Sequence, residues 1–175
     1  MTTTIEPTLQ SEFDHLLDQI KSCYQCGTCT GGCPVFRVYP DFNPRIIVET
    51  ILTGQTGQLL IDDLIWYCSL CYTCTTRCPQ GIDVGHLLIE LKNLARQLKN
   101  VPEGIINEFE AIRETGITSA ISESILKKRE KLGLPQLPLT DTKEIQKLLD
   151  IMGVSEELIR EVKRQKDDSL EEVTE

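Results

Sequence analysis

The sequence predicts an all-α fold, and three observations carry that expectation. Apolar residues recur at three- and four-residue intervals through most of the chain. Asn, Asp, Ser or Pro opens these runs and Gly closes most of them. No alternating apolar and polar run of comparable length argues for a strand.

Taken in order, the first element carries Phe13, Leu16, Leu17 and Ile20 at helical spacing, an apolar stripe fit to pack over whatever the following cysteines hold. Asn43 can cap the next helix, Pro44 suits its first position, and Gly54 stops the run RIIVETILT. A short helix over about 58–67 presents Ile61, Leu64 and Ile65 on one face. The clearest helix starts at Asp83 as cap; Leu87, Leu88, Leu91, Leu94, Ala95 and Leu98 make its buried face, with Lys92, Arg96 and Lys99 outside it.

Further helices are expected over 102–115, ended by Gly116, and over about 119–132, ended by Gly133. The stretch LPQLPL, 134–139, reads as a linker because proline has no amide hydrogen for a helix bond. Asp141 with Glu144 makes a capping-box-like start for the stripe Ile145, Leu148, Leu149 and Met152, which Gly153 closes. Ser155 starts a last helix to about Lys166. The expected organisation is therefore a domain over 1–133, a linker with C-terminal helices over 134–166, and a solvated acidic tail over 167–175.

At 175 residues the chain can build one domain with a modest core. Its net charge of -9 opposes nucleic-acid binding, which needs a basic face to neutralise phosphates. More than half of that charge lies in DDSLEEVTE at the C-terminus. No apolar stretch is long enough to span a bilayer, so a soluble chain is expected. The N-terminal MTTTIEPTLQSEFD lacks a basic region followed by an apolar one, so nothing routes the chain to an oxidising compartment and a cytoplasmic location is expected.

Chemistry concentrates in two stretches. CYQCGTCTGGCPVF, 23–36, and CSLCYTCTTRCPQG, 68–81, share the spacing C-x2-C-x2-C-x3-C-P and together use all eight cysteines, Cys23, Cys26, Cys29, Cys33, Cys68, Cys71, Cys74 and Cys78. Disulfides fit poorly with thiols expected to stay reduced. Structural zinc sites usually combine two C-x2-C pairs across a longer loop, whereas each motif here takes consecutive short steps that wrap thiolates around one face of a 4Fe-4S cubane. Two such clusters are the reading that the spacing favours, with zinc as the alternative. Glycines 27, 31 and 32 suit a backbone passing close to inorganic sulfide.

The remaining candidates carry little. His15 and His86 lie in helical patterns near the motifs, but eight cysteines already satisfy two cubanes. Trp66, Tyr67, Tyr24 and Tyr72 read as shields that keep water from the clusters rather than as stepping stones for electrons. Arg37 and Arg77 offset cluster charge or simply face solvent. There is no phosphate-binding glycine loop with its lysine, no dinucleotide fingerprint, and no Ser/His/Asp arrangement in a recognisable context.

The paired motifs separated by helices resemble the alpha-helical ferredoxin domain of iron-sulfur proteins in succinate dehydrogenase, fumarate reductase, glycolate oxidase and heterodisulfide reductase. CYQCGTCTGGCPV, DFNPRIIVETILTG, WYCSLCYTCTTRCPQGIDV and KKREKLGLPQLP resemble the HdrC family, the small iron-sulfur component of archaeal heterodisulfide reductase, over roughly residues 10–140. The resemblance implies that Cys23, Cys26, Cys29 and Cys78 hold one cluster and Cys68, Cys71, Cys74 and Cys33 the other; closure of each motif on its own cluster is the alternative. It also implies an electron carrier of methanogenesis between the flavin-containing component, HdrA, and the catalytic component, HdrB, which reduces the mixed disulfide of coenzymes M and B, with a hydrogenase or formate dehydrogenase further upstream. The chain has no CC pair and no spare thiol, so it is expected to have no active site of its own. An iron-sulfur component of a quinone-linked dehydrogenase is the alternative function.

Overall fold

The computed structural model describes residues 7–98, 100–118, 121–137 and 141–173; for 7–9 and 165–173 the description is of the backbone alone. All regular structure among them is helical. The chain divides into two compact units, 1–100 and 101–175, so the boundary expected at 133 falls inside the second.

In the first unit, helix α1 (Pro7–Ile20) leads into the first cysteine motif, which contains the short helices α2 (Thr28–Gly31) and α3 (Pro34–Val38). Helix α4 (Pro44–Leu52) follows, started by the Asn43 side chain, which accepts from the amides of Arg45 and Ile46 at 3.1 and 3.3 Å. Gly54, at φ 74, reverses the chain after it, a conformation that side chains resist. The single helix expected over 58–67 is two elements instead, α5 (Thr56–Ile61) and a 3-10 helix (Asp63–Tyr67). The break has a local cause. Asp62 is extended and its carboxylate accepts from the Leu64 amide at 2.9 Å, which restarts the chain in a new register. Ile61 is accordingly 76% exposed, while Leu59, Leu60 and Ile65 are buried.

The second motif contains α6 (Thr73–Thr76) and leads into α7 (Val84–Gln97), capped by Asp83, whose carboxylate accepts from the His86 amide at 2.9 Å. Leu87, Leu88, Leu91, Leu94 and Ala95 are buried with Leu16, Ile20, Phe42, Ile47, Val48 and Ile51 of the preceding elements. Each leucine so covered stabilises the unit by about 1.5–3 kcal/mol relative to exposure, which is ample to fix the face that α7 turns inward. Leu17 and Leu98, expected in the stripes, lie at their edges and are exposed.

The second unit comprises α8 (Glu103–Thr115), α9 (Glu123–Lys131), α10 (Thr142–Ile151) and α11 (Glu156–Val173). Gly116 and Gly133 end α8 and α9 in left-handed conformations, as their spacing suggests. The start expected at Ser119 lies outside the described residues; α9 begins after Ser122. Residues 134–137 are irregular, as the prolines require. The Asp141 carboxylate starts α10 by accepting from the Lys143 amide at 2.9 Å. On α10 only Leu149 of the expected stripe is fully covered; Leu148 and Met152 face solvent. Among the described residues, Ile106, Leu149, Ile159 and Val162 are the buried apolar side chains on this unit's helices. Arg113 joins α8 to α10 through Asp150 at 2.8 Å, and Lys163 joins α11 to α8 through Glu110. The last helix continues past Lys166 to Val173.

Candidate metal centre

The two motifs fold alike because the backbone turns left-handed at matching places. Gln25 and Gly27 do so in the first, at φ 61 and 77; Leu70 and Tyr72 do so in the second, at φ 51 and 58. Each pair stands two and four residues after its first cysteine. For Gln25, Leu70 and Tyr72 this conformation costs on the order of 1 kcal/mol apiece, a strain that usually marks a functional site. It curls the chain so that α2 and α6 carry Cys29 and Cys74 back toward Cys23 and Cys68.

One threonine then locks each curl to the helix behind it. Thr30 donates to the Asn43 Oδ1 at 2.6 Å and accepts from the Arg45 amide at 2.9 Å. Thr75 donates to the Asp83 Oδ1 at 2.7 Å and accepts from the Gly85 amide at 2.9 Å. In both motifs, therefore, the residue after the third cysteine ties the curl to the cap and the second residue of the following long helix. The two short helices also pack on each other: a methyl group built on Gly32 would lie 3.1 Å from the Arg77 Cδ and 3.2 Å from the Thr73 Cγ2. Arg77 thus lays part of its side chain between the motifs while staying exposed, as Arg37 also is.

Two hollows result. One is lined by Cys23, Cys26, Cys29 and Cys78, with Arg45 and Val48 beside them. The other is lined by Cys33, Cys68, Cys71 and Cys74, with Tyr72 and Phe42 beside them. Each hollow takes three cysteines from one motif and the Cys-Pro cysteine from the other. Among the described residues no three His, Cys, Asp or Glu side chains are grouped tightly enough for a single metal ion. Four sulfurs spread around a hollow suit a cubane, where each iron takes its own thiolate, better than one zinc.

The sulfurs differ in exposure. Cys26 and Cys71 stand at the surface, Cys33 is buried, and the rest are half-buried. The thiols of Cys26 and Cys71 have lowered pKa values chiefly because the Thr28 and Thr73 hydroxyls, 3.3 and 3.4 Å away, stabilise the thiolates. Burial raises Cys29 and Cys68, and pushes Cys74 up to about 11. Such buried thiols become thiolates when a metal takes the charge. Amides point at sulfur from Leu70 to Cys68 at 3.4 Å and from Phe36 to Cys33 at 3.5 Å.

Of the other candidates, Tyr72 lines a hollow, Trp66 packs half-buried against the core, Tyr67 stacks on Tyr39 at 4.7 Å, and Tyr24 is exposed. His15 and His86 line neither hollow; His86 faces Glu90 at 3.1 Å. Lys92 departs from its expected place. Its ammonium is half-buried, donates to the Cys68 carbonyl at 3.1 Å and lies 5.7 Å from the centre of the Trp66 ring. Burial lowers its pKa, and the Cys68 thiolate opposes that shift. Lys99 lies outside the described residues. Sequence reasoning also passed over Arg45, Thr30 and Thr75; the triplet TCT repeated at 28–30 and 73–75 was the available sign of the last two.

Residues 19–82 match the family described as 4Fe-4S dicluster domain, so the chain carries two 4Fe-4S clusters. Among relatives, the chain is 36% identical over 122 residues to the second HdrC-type iron-sulfur protein of the CoB-CoM heterodisulfide reductase of Methanocaldococcus jannaschii, an alignment spanning 70% of this chain and 64% of that one. It is 38% identical to the HdrC component of the ferredoxin:CoB-CoM heterodisulfide reductase of Methanosarcina mazei, over 69% of this chain and 74% of that one. It is 39% identical to the HdrC component of the ferredoxin/F420H2-dependent CoB-CoM heterodisulfide reductase of Methanosarcina acetivorans, over 70% and 75%.

Proposed function

Because the chain belongs to the HdrC family, the iron-sulfur components of CoB-CoM heterodisulfide reductase, we propose that it relays electrons from a flavin-containing protein to a catalytic, disulfide-reducing one within such a complex. When bound, each 4Fe-4S cluster takes up and releases one electron. The protein's part is to hold the sulfurs, limit water and set local charge. Cys23, Cys26, Cys29 and Cys78 would hold one cluster, and Cys33, Cys68, Cys71 and Cys74 the other; the lining of the two hollows is the observation that supports this partition.

The same partition supports a chain without an active site of its own. With every cysteine committed, no thiolate is left for thiol-disulfide exchange, and four-thiolate coordination leaves no open position for a substrate sulfur. The relay is proposed to work in the cytoplasm, in keeping with thiols that must stay reduced; no helix among the described residues is long and apolar enough to cross a membrane. A hydrogenase or formate dehydrogenase is the proposed upstream source, since one relative, from Methanococcus maripaludis, belongs to an H2/formate:CoB-CoM heterodisulfide,ferredoxin reductase.

The test is anaerobic reduction of the CoB-CoM heterodisulfide with reduced viologen, run on this chain, on the catalytic partner, and on the mixture. The chain alone should show no turnover. Turnover by the chain alone would place an active site within it and defeat the relay.

A further inference from the structure

The two motifs are near copies in backbone and in their threonine ties, so a difference in the helices behind them is informative. Counted from the caps Asn43 and Asp83, position nine is Leu52 in α4 and Lys92 in α7. Leu52 packs against the apolar core. Lys92 instead brings an ammonium to the carbonyl of Cys68, at 3.1 Å, and over the ring of Trp66. Among the described residues its ammonium pairs with no carboxylate, whereas Arg45, the cation lining the first hollow, faces Glu49 at 3.6 Å. The second motif therefore has a partly desolvated cation beside a ligand residue, and the first has a cation paired with an anion.

Half-burial is a costly place for an ammonium without a counter-ion. A net negative group on Cys68 would offset that cost, and the attraction strengthens each time that group gains an electron. Charge near a cluster is one of the levers by which a protein sets its potential. We propose that Lys92 raises the reduction potential of the cluster to which Cys68 contributes, making that cluster the one on which an electron preferentially rests. The inference deepens the relay reading and rests on it. It holds whichever motif supplies the fourth ligand, because Cys68 serves the second cluster in either arrangement.

The test is an anaerobic redox titration, followed by electron paramagnetic resonance, of the full chain and of Lys92→Met and Lys92→Arg, each checked first for iron and sulfide. Lys92→Met should lower one of the two midpoints, by about tenfold in the equilibrium between reduced and oxidised forms, or 59 mV for a one-electron couple, and leave the other in place. Lys92→Arg should keep the midpoint near that of the parent. If Lys92 is only a packing residue, Lys92→Met will keep both midpoints while losing thermal stability, which overturns the proposal. Equal movement of both midpoints also overturns it. Failure of the parent to hold eight irons or to titrate reversibly would strike the relay reading instead.

Discussion

Replacing Gly85 by alanine tests how tightly the second motif is built. Gly85 is the second residue of α7, and its amide holds the Thr75 hydroxyl at 2.9 Å. An added Cβ would lie 2.6 Å from the Tyr72 Cδ1, 2.9 Å from its Cε1 and 3.0 Å from the Thr75 Oγ1. Carbon atoms rest about 3.5–4.0 Å apart, so the ring must retreat by roughly 0.9 Å or more. Tyr72 is part-exposed and can yield, which keeps the cost of overpacking at about 1–3 kcal/mol. Alanine recovers about 0.5–1 kcal/mol of helix propensity. Taken at the middle of both ranges, the balance is a loss of about 1 kcal/mol, concentrated where Tyr72 lines the hollow of Cys33, Cys68, Cys71 and Cys74. Cluster loss through an opening at that point should quicken by roughly fivefold.

The assay is the decay of visible absorbance under an anaerobic iron chelator, with Gly31→Ala as the control. Nothing lies within 4 Å of a Cβ built on Gly31, so that variant should decay within about twofold of the parent. If Gly85→Ala decays no faster than Gly31→Ala, then Tyr72 does not guard the hollow and the packing argument fails.

Two further outcomes follow from the geometry. Thr75→Val removes both bonds of its tie, one of them to a carboxylate, and should lower resistance to irreversible thermal denaturation by about 1–3 kcal/mol; a Thr75→Ser variant should recover most of it, and equal loss in both would show that shape rather than the hydroxyl matters. Iron counting decides the ligand partition: in a Cys23→Ala/Cys26→Ala background, about four irons should remain, adding Cys78→Ala should remove none, and adding Cys33→Ala should remove them, with the reverse pattern demonstrating that each motif closes on itself.

Much of the site was legible because its signals are local. Asn43, Asp83 and Asp141 cap helices as their side chains allow, and the cysteine spacing alone marks both curls. Apart from one local break, what escaped depends on residues distant in the chain. The break at Asp62 follows from a side chain competing with the backbone inside an otherwise helical pattern. Leu17 and Leu98 sit where a stripe ends, and periodicity does not say how far a neighbour reaches. Lys92 has the spacing of a surface residue, but the Cys68 carbonyl and the Trp66 ring come to it from 24 and 26 positions earlier. The register of the two threonine ties requires knowing that α4 and α7 stand behind equivalent curls, although the repeated TCT hints at it.

The central claim, that the chain carries electrons and leaves disulfide chemistry to a partner, is tested most directly by reoxidation. The chain is reduced anaerobically, separated from excess reductant, and mixed either with the CoB-CoM heterodisulfide alone or with heterodisulfide and the catalytic partner, while cluster absorbance is followed. The account predicts that the clusters stay reduced with the heterodisulfide alone and are reoxidised once the catalytic partner is present. Prompt reoxidation by the heterodisulfide alone, with release of the two thiols, would contradict it.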